Sequence, residues 1–252
     1  MKQWIFIFCL FILPVSDSYA DETESLFYQG NKLYENGDYS GAVDFYERIL
    51  ASGKQSWQLY YNLGNAYYKL NKTGMSILNY ERAYKLDPEN EDIRFNLQLA
   101  NLAIVDRIPE PPKAEWMIWL ENIQFSLSFS ALVWMTLSFY AIFMLSLALK
   151  YMKPELWKNR VIRFFGKASV SVFIIFFLWF AYRWYQVETE QFAIVLQSEV
   201  SVSSSPTQDA TEVFALHEGT KLKIEQHSGE WVRIRLQDGK VGWLPVHAVG
   251  MI

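Results

Sequence analysis

Cysteine is almost missing from this chain: Cys9 is the only one, and it sits in an apolar stretch near the start. If that stretch is removed as a leader, no thiol remains for a disulfide, a nucleophile or a cysteine-ligated metal. Histidine is nearly as scarce. His217, His227 and His247 lie close to the end of the chain without metal-ligand spacing, and read as surface imidazoles. No phosphate-cradling glycine loop, nucleophile elbow or zinc-binding helix motif occurs. The carboxylates are scattered along polar faces. No catalytic residue, metal site or cofactor is therefore expected, and the chain reads as non-enzymatic. An excess of one charge sign is also missing. Lys and Arg number 23 against 27 Asp and Glu, a net charge of −4 that gives no footprint for nucleic acid.

Apolar residues, by contrast, are plentiful and unevenly placed. They make up 51% of the chain at a mean hydropathy of +0.00, so apolar blocks must alternate with polar ones. The first block is Trp4 to Val15, preceded by Lys2 and followed by the small-x-small site Ser18-Tyr19-Ala20. Twelve apolar residues interrupted by Pro14 are short for a span of about 20. Residues 1–20 therefore read as a secretory leader.

Two longer blocks read as membrane spans. Residues 127–149 run for 23 residues without a charge, roughly 35 Å as a helix against a hydrocarbon core of about 30 Å. Residues 164–185 form the second span, with Lys167 and Arg183 placed to snorkel and Trp179, Trp184 and Tyr185 at an interface. The connecting loop, 150–163, and its edge carry Lys150, Lys153, Lys158, Arg160, Arg163 and Lys167 against one acid, Glu155. The outer flanks carry Glu115, Glu121, Glu188 and Glu190. The positive-inside bias puts this loop in the cytoplasm and both soluble parts outside it. The leader predicts the same for the amino-terminal part.

Within residues 21–105 a pattern repeats every 34 residues. Gly30 recurs as Gly64, Asn31 as Asn65, Tyr34 as Tyr68, Tyr46 as Tyr80, and Phe27 as Tyr61 and again as Phe95. Gly37-Asp38-Tyr39 marks a turn between helices and Pro88 a helix end. At this period and with these residues, segments 23–55 and 57–90 resemble tetratricopeptide repeats, helix–turn–helix units that stack around a concave groove. Leu33, Ile49 and Ser76 depart from the usual residues. Glu91 to Val105 continues the period and reads as a capping helix. Two units are few for such an array, which usually needs about three, so completion by a partner is expected.

Phe27, Asn31 and Tyr34 fall on one helix face, repeated by Tyr61, Asn65 and Tyr68 and extended by Phe95. In the family this face lines the groove. Rings that bury side chains and amides that bond a backbone suit an extended peptide. On this reading Asn65→Ala with Tyr61→Ala abolishes capture without unfolding the domain. The aromatics alternatively fill space between helices, and for Phe27 and Tyr61 the two readings weigh equally.

Pro109, Pro111 and Pro112 form a stiff connector, and residues 106–126 continue through an apolar segment with Trp116 and Trp119 that suits a membrane surface. Past the second span the period falls to two. Lys221 to Glu225 and Trp231 to Leu236 alternate, and Asp238-Gly239 is a hairpin turn. Residues 192–252 resemble a bacterial SH3 domain through Val200-Ser201-Val202, Glu218-Gly219-Thr220, Gly229-Glu230-Trp231, Asp238-Gly239-Lys240 and Gly242-Trp243. The resemblance implies a small barrel that binds cell-wall peptide or protein, although Ser203 stands where the family often has Arg. Trp231 reads as core, and Trp243 as a candidate contact for a partner.

The expected fold is thus a multidomain membrane protein: an all-α tetratricopeptide array, a transmembrane helical hairpin and an all-β SH3-like small barrel. That order over the whole chain resembles the BatE family of Bacteroides aerotolerance proteins. The resemblance implies a two-pass protein of the inner membrane with periplasmic domains. It also implies partners among Bat proteins carrying von Willebrand factor A domains, a link to a MoxR-type ATPase, and a role in envelope or oxidative stress. A peptidoglycan tether acting through the barrel is the competing reading.

Overall fold

The computed structural model describes residues 18–109, 112–124 and 126–252. The expected leader lies outside the described residues except for Ser18–Ala20, which open the first helix. Five helices follow: α1 Ser18–Glu35, α2 Tyr39–Ala51, α3 Trp57–Lys69, α4 Thr73–Leu86 and α5 Glu91–Asn101. Their ends are written in the sequence. Asp38 caps α2 by accepting from the Gly41 N–H, Ser56 caps α3 through Leu59, and Asn90 caps α5 through Asp92 and Ile93. The turn inside each unit needs one left-handed residue. Gly37 supplies it at φ +82° and Asn71, one period later, at φ +57°.

The glycine–tyrosine repeat is a helix crossing. A Cβ on Gly30 would lie 2.5 Å from the Tyr46 ring, and one on Gly64 would lie 2.7 Å from the Tyr80 ring. Both rings are buried. Ser76, at a position where the repeat family favours alanine, is fully buried and donates its hydroxyl to Gly64 O at 2.9 Å. Gly64→Ala gains up to about 1 kcal/mol of helix propensity but forces the Tyr80 ring to move, an overpacking cost of about 1–3 kcal/mol. A net loss of roughly 1–2 kcal/mol is expected, read as a lower denaturation midpoint with an unchanged slope.

After α6 (Glu115–Gln124) come two long apolar helices, α7 Phe129–Met152 and α9 Arg160–Thr189, joined by the short α8 Pro154–Trp157. They form an antiparallel hairpin zipped by rings: Phe129 against Phe180, Phe139 against Phe176 and Phe143 against Phe173, with centroids 5.1–5.8 Å apart. Both helices are long and apolar enough to cross a membrane. At the hairpin tip they outrun the expected spans, so Lys150, Arg160 and Arg163 are helical rather than in a loop. Charge marks where an apolar core ends, whereas the helix continues until its backbone groups find other partners.

The last domain is an antiparallel sheet of seven strands: β1 Gln191–Val195, β2 Glu199–Ser203, β3 Glu212–His217, β4 Lys221–Ser228, β5 Trp231–Arg235, β6 Val241–Pro245 and β7 Val249–Met251. Their order is β3-β2-β6-β5-β4-β1-β7. The period-two pattern sends Leu222, Ile224, Val232, Ile234 and Leu244 into its core. Gly239 turns the β5–β6 hairpin at φ +91°.

Trp231 corrects an expectation. It is half-buried and lies outside the core, because strand parity with Val232 and Ile234 turns it to the outer face. There it pairs with Pro245, beside Arg233 opposite Trp243, which in turn is paired with Ser203.

Candidate partner groove and the interface behind it

The two expected groove asparagines hold the same network one period apart. Asn31 Oδ1 accepts from the Tyr46 hydroxyl at 2.7 Å and from Asn62 Nδ2 at 3.0 Å. Asn65 Oδ1 accepts from the Tyr80 hydroxyl at 2.6 Å and from Asn96 Nδ2 at 3.0 Å. Asn96 Nδ2 also reaches the Tyr61 hydroxyl at 2.9 Å. Burial pushes the Tyr46 pKa up to about 12, so its hydroxyl stays a donor at physiological pH. Each asparagine thus spends its acceptor inward. Neither Nδ2 has a partner among the described residues, and neither is a buried unsatisfied atom. Two amide donors remain open to a ligand along one wall.

The aromatics divide. Phe27, Tyr34 and Tyr61 are half-buried against neighbouring helices, with Phe27–Tyr46 and Tyr61–Tyr80 centroids 5.9 and 6.0 Å apart. They build the wall as well as face it. Tyr68 and Phe95 are exposed, Phe95 at 65%. Two residues were missed on the sequence. Leu99 and Leu102 stand two periods after Asn31 and Tyr34, lie at i+4 and i+7 from Phe95, and are exposed, Leu102 at 75%. The 34-residue spacing carries that signal, but the change from amide and ring to leucine hides it. The wall passes from amides on α1 and α3 to bare apolar side chains on α5 and its C-cap.

Behind the wall the array is closed by the barrel. Ile77 and Leu78 of α4, with Ala100 of α5, share a core with Ile194 of β1, and Leu196 and Ile252 pack against it. The expected completion of the short array thus comes from its own chain. Glycines let the backbones meet. A Cβ on Gly74 would lie 2.6 Å from Val195 O and 2.7 Å from Glu218 Cγ. One on Gly219, already at φ +90°, would lie 3.0 Å from Ile77, and one on Gly250 would strike Leu78.

Polar groups fix the register of this interface. Glu218 accepts from the Gly74 N–H at 2.7 Å, and Arg82 donates to Met251 O at 2.6 Å. Lys85 donates to Ile252 O at 3.1 Å. Lys221 pairs with the buried Glu81 at 2.7 Å.

Asp106, just past α5, binds the barrel through three donors: the His217 N–H at 2.6 Å, His217 Nδ1 at 2.7 Å and the Thr220 hydroxyl at 2.7 Å. His217 is therefore no free surface imidazole. Burial raises the pKa of Asp106, but these bonds outweigh burial and hold it below the usual carboxylate range. The Asp106 bond, with Glu199 nearby, raises that of His217 against a smaller opposing effect of desolvation. The His217 contribution is complete below its unfolded pKa of about 6.5 and is lost as pH climbs through the raised folded value. The Asp106 contribution is complete above about 3.9 and is lost as pH falls through its lowered folded value. Docking is thus strongest between about pH 4 and 6.5. The melting difference between the wild type and Asp106→Asn should shrink on the alkaline side, and His217→Gln should remove that slope.

Comparison with known proteins agrees with this division. Residues 57–90 match the family described as Tetratricopeptide repeat, and residues 198–249 the one described as Bacterial SH3 domain. A serine/threonine-protein phosphatase T of Aspergillus oryzae is 29% identical over 92 residues, which are 36% of this chain and 19% of that protein. The match therefore spans about a fifth of the curated relative. Among solved structures, an NlpC/P60 family protein from Bacillus cereus is similar over 28% of this chain and 23% of its own, at 15% identity and a TM-score of 0.22. PcrH in complex with the chaperone binding region of PopB is similar over 63% of this chain and 98% of its own, at 13% identity and a TM-score of 0.32. The chain carries a tetratricopeptide repeat array, a pair of apolar helices and an SH3-like barrel.

Proposed function

We propose that this chain is a non-enzymatic adaptor of the inner membrane, anchored by the α7–α9 hairpin, whose groove captures an extended segment of a protein partner. One observation carries the reading: a wall with two unspent amide donors that runs into the exposed Phe95, Leu99 and Leu102. A fitting segment offers backbone carbonyls to Asn31 and Asn65 and apolar side chains to α5.

Anchoring is supported by the hairpin itself. Its rings zip the two helices together, yet Trp134, Leu145 and Phe165 remain more than half exposed, which water tolerates poorly and lipid tails accept. α6 exposes Trp116, Met117, Ile118, Trp119, Leu120 and Ile123, and lies along the bilayer surface. Because array and barrel share a core, both belong on one side of the bilayer. The basic hairpin tip argues for the periplasmic side. The order of domains supports a place in a Bat-type aerotolerance or envelope-stress complex, with von Willebrand factor A proteins as partners.

A second reading, a peptidoglycan tether, draws on the outer face of the barrel, where Trp231, Arg233 and Trp243 stand together. Co-sedimentation of the purified chain with cell wall separates the two. Pelleting that is lost with Trp243→Ala supports the tether. Cross-linking of partners in membranes that depends on Phe95 supports the adaptor.

A further inference from the structure

The hairpin tip carries six basic side chains, and the fold sorts them. Lys158 is neutralised by Glu155 at 2.8 Å, Lys150 lies over the Tyr151 ring at 5.4 Å, and Lys153 is exposed at the α7–α8 junction, outside both helices. Arg160, Arg163 and Lys167 are different. They stand at i, i+3 and i+7 on the first two turns of α9, so they form one ridge. All three are exposed, and their side chains make no hydrogen bond or ion pair among the described residues. α9 has no acid in its first turn to offset them. Beside the ridge, Phe164, at i+4 from Arg160, is about two-thirds exposed, and Trp157 packs on Gly166 where a Cβ would collide.

We propose that this ridge is a binding site for the phosphate headgroup of anionic phospholipid. The ridge spans about 10 Å of helix axis. That length covers the headgroup layer, which is about 5–8 Å deep on each side of the hydrocarbon core, and leaves Lys167 to snorkel from just inside. Phe164 takes the acyl chains beside the phosphate. Three uncompensated cations on one face repel one another in neutral lipid. An anionic headgroup turns that repulsion into attraction, and each cation near an anionic surface adds to the preference. Guanidinium groups give two of the three positions a fork that matches phosphate oxygens.

The inference rests on the hairpin lying in a membrane, and the experiment separates the two. The full chain is purified from vesicles of equal phosphatidylglycerol and phosphatidylcholine, and its retained lipid is identified by native mass spectrometry. The wild type is expected to keep phosphatidylglycerol at least about tenfold over phosphatidylcholine. Arg160→Gln/Arg163→Gln/Lys167→Gln is expected to lose the preference. Lys150→Gln/Lys153→Gln/Lys158→Gln, which removes as much charge elsewhere on the tip, is expected to keep it. An intact array–barrel contact in each variant shows that the chain still folds. Retention of both lipids without preference in the wild type, or equal loss in the two triple variants, overturns the site. Displacement of the lipid by millimolar inorganic phosphate does the same, because it marks a free-anion site. Retention of no lipid at all counts against the membrane reading itself.

Discussion

Gly74→Leu is expected to loosen the barrel from the helical array while leaving each domain folded. The glycine lies in the first turn of α4, with its Cβ direction blocked 2.6 Å away by a backbone oxygen, Val195 O, and by Glu218 Cγ. A flexible side chain moves out of the way cheaply, but a strand backbone does not. The same substitution dislodges the Glu218 carboxylate that accepts from the Gly74 N–H. An overpacking cost of about 1–3 kcal/mol at a docking surface weakens docking roughly 5- to 150-fold. Nothing in the array itself opposes the leucine, because α4 prefers it to glycine by up to about 1 kcal/mol. Gly74→Leu should therefore reduce proximity between α4 and β7 but preserve the helical signal and the barrel fold. Loss of all structure would mean that the array does not hold without its barrel, and an unchanged interface would contradict the packing described for Gly74.

The second large effect concerns the groove. Phe95→Ala with Leu102→Ala is expected to remove partner capture without loss of stability. Both side chains are more than 60% exposed, so deleting them leaves the fold within about 0.5 kcal/mol. Anchors of this kind each carry about 2 kcal/mol or more of binding, so capture should fall by at least about 30-fold for either and further for the pair. Asn65→Ala is a poorer probe. It strips a buried tyrosine, Tyr80, of its hydrogen-bond acceptor and costs about 1–3 kcal/mol of stability. Asn65→Asp keeps the acceptor but exchanges the open donor for a negatively charged acceptor, so a drop in capture at unchanged stability shows that this position must donate. Pairing Asn65→Ala with Tyr61→Ala mixes stability with binding, because Asn96 ties both residues together.

What was legible in the sequence was whatever repeats or runs. The 34-residue period located α1–α5, and strand alternation located the barrel core. The charge-free blocks located α7 and α9. The face of Phe27, Asn31 and Tyr34 was visible as spacing, but its inner duty was not, since a side chain's partner on another helix leaves no local trace. The interface was hidden for the same reason. Asp106 and His217 are 111 positions apart and Glu81 and Lys221 are 140 apart, with both apolar helices between. In the structure α4 buries Ser76 through Glu81 without a break because the barrel covers it together with α3 and α5, and nothing in the residue types of that stretch announces the third neighbour. Trp231 shows the converse: its size drew it to the core, while the parity set by Val232 and Ile234 placed it outside.

A zero-length carbodiimide cross-link tests the docked body on intact membranes without any substitution. Lys221 Nζ lies 2.7 Å from Glu81 Oε2, so an amide joining these two residues is expected, alongside the local Lys240–Asp238 product at 2.9 Å as the internal control. Recovery of the 81–221 linked peptide in the unmodified chain, and its reduced yield in Gly74→Leu, is the predicted result. Formation of the Lys240–Asp238 product with no 81–221 linkage would place array and barrel apart and contradict the account.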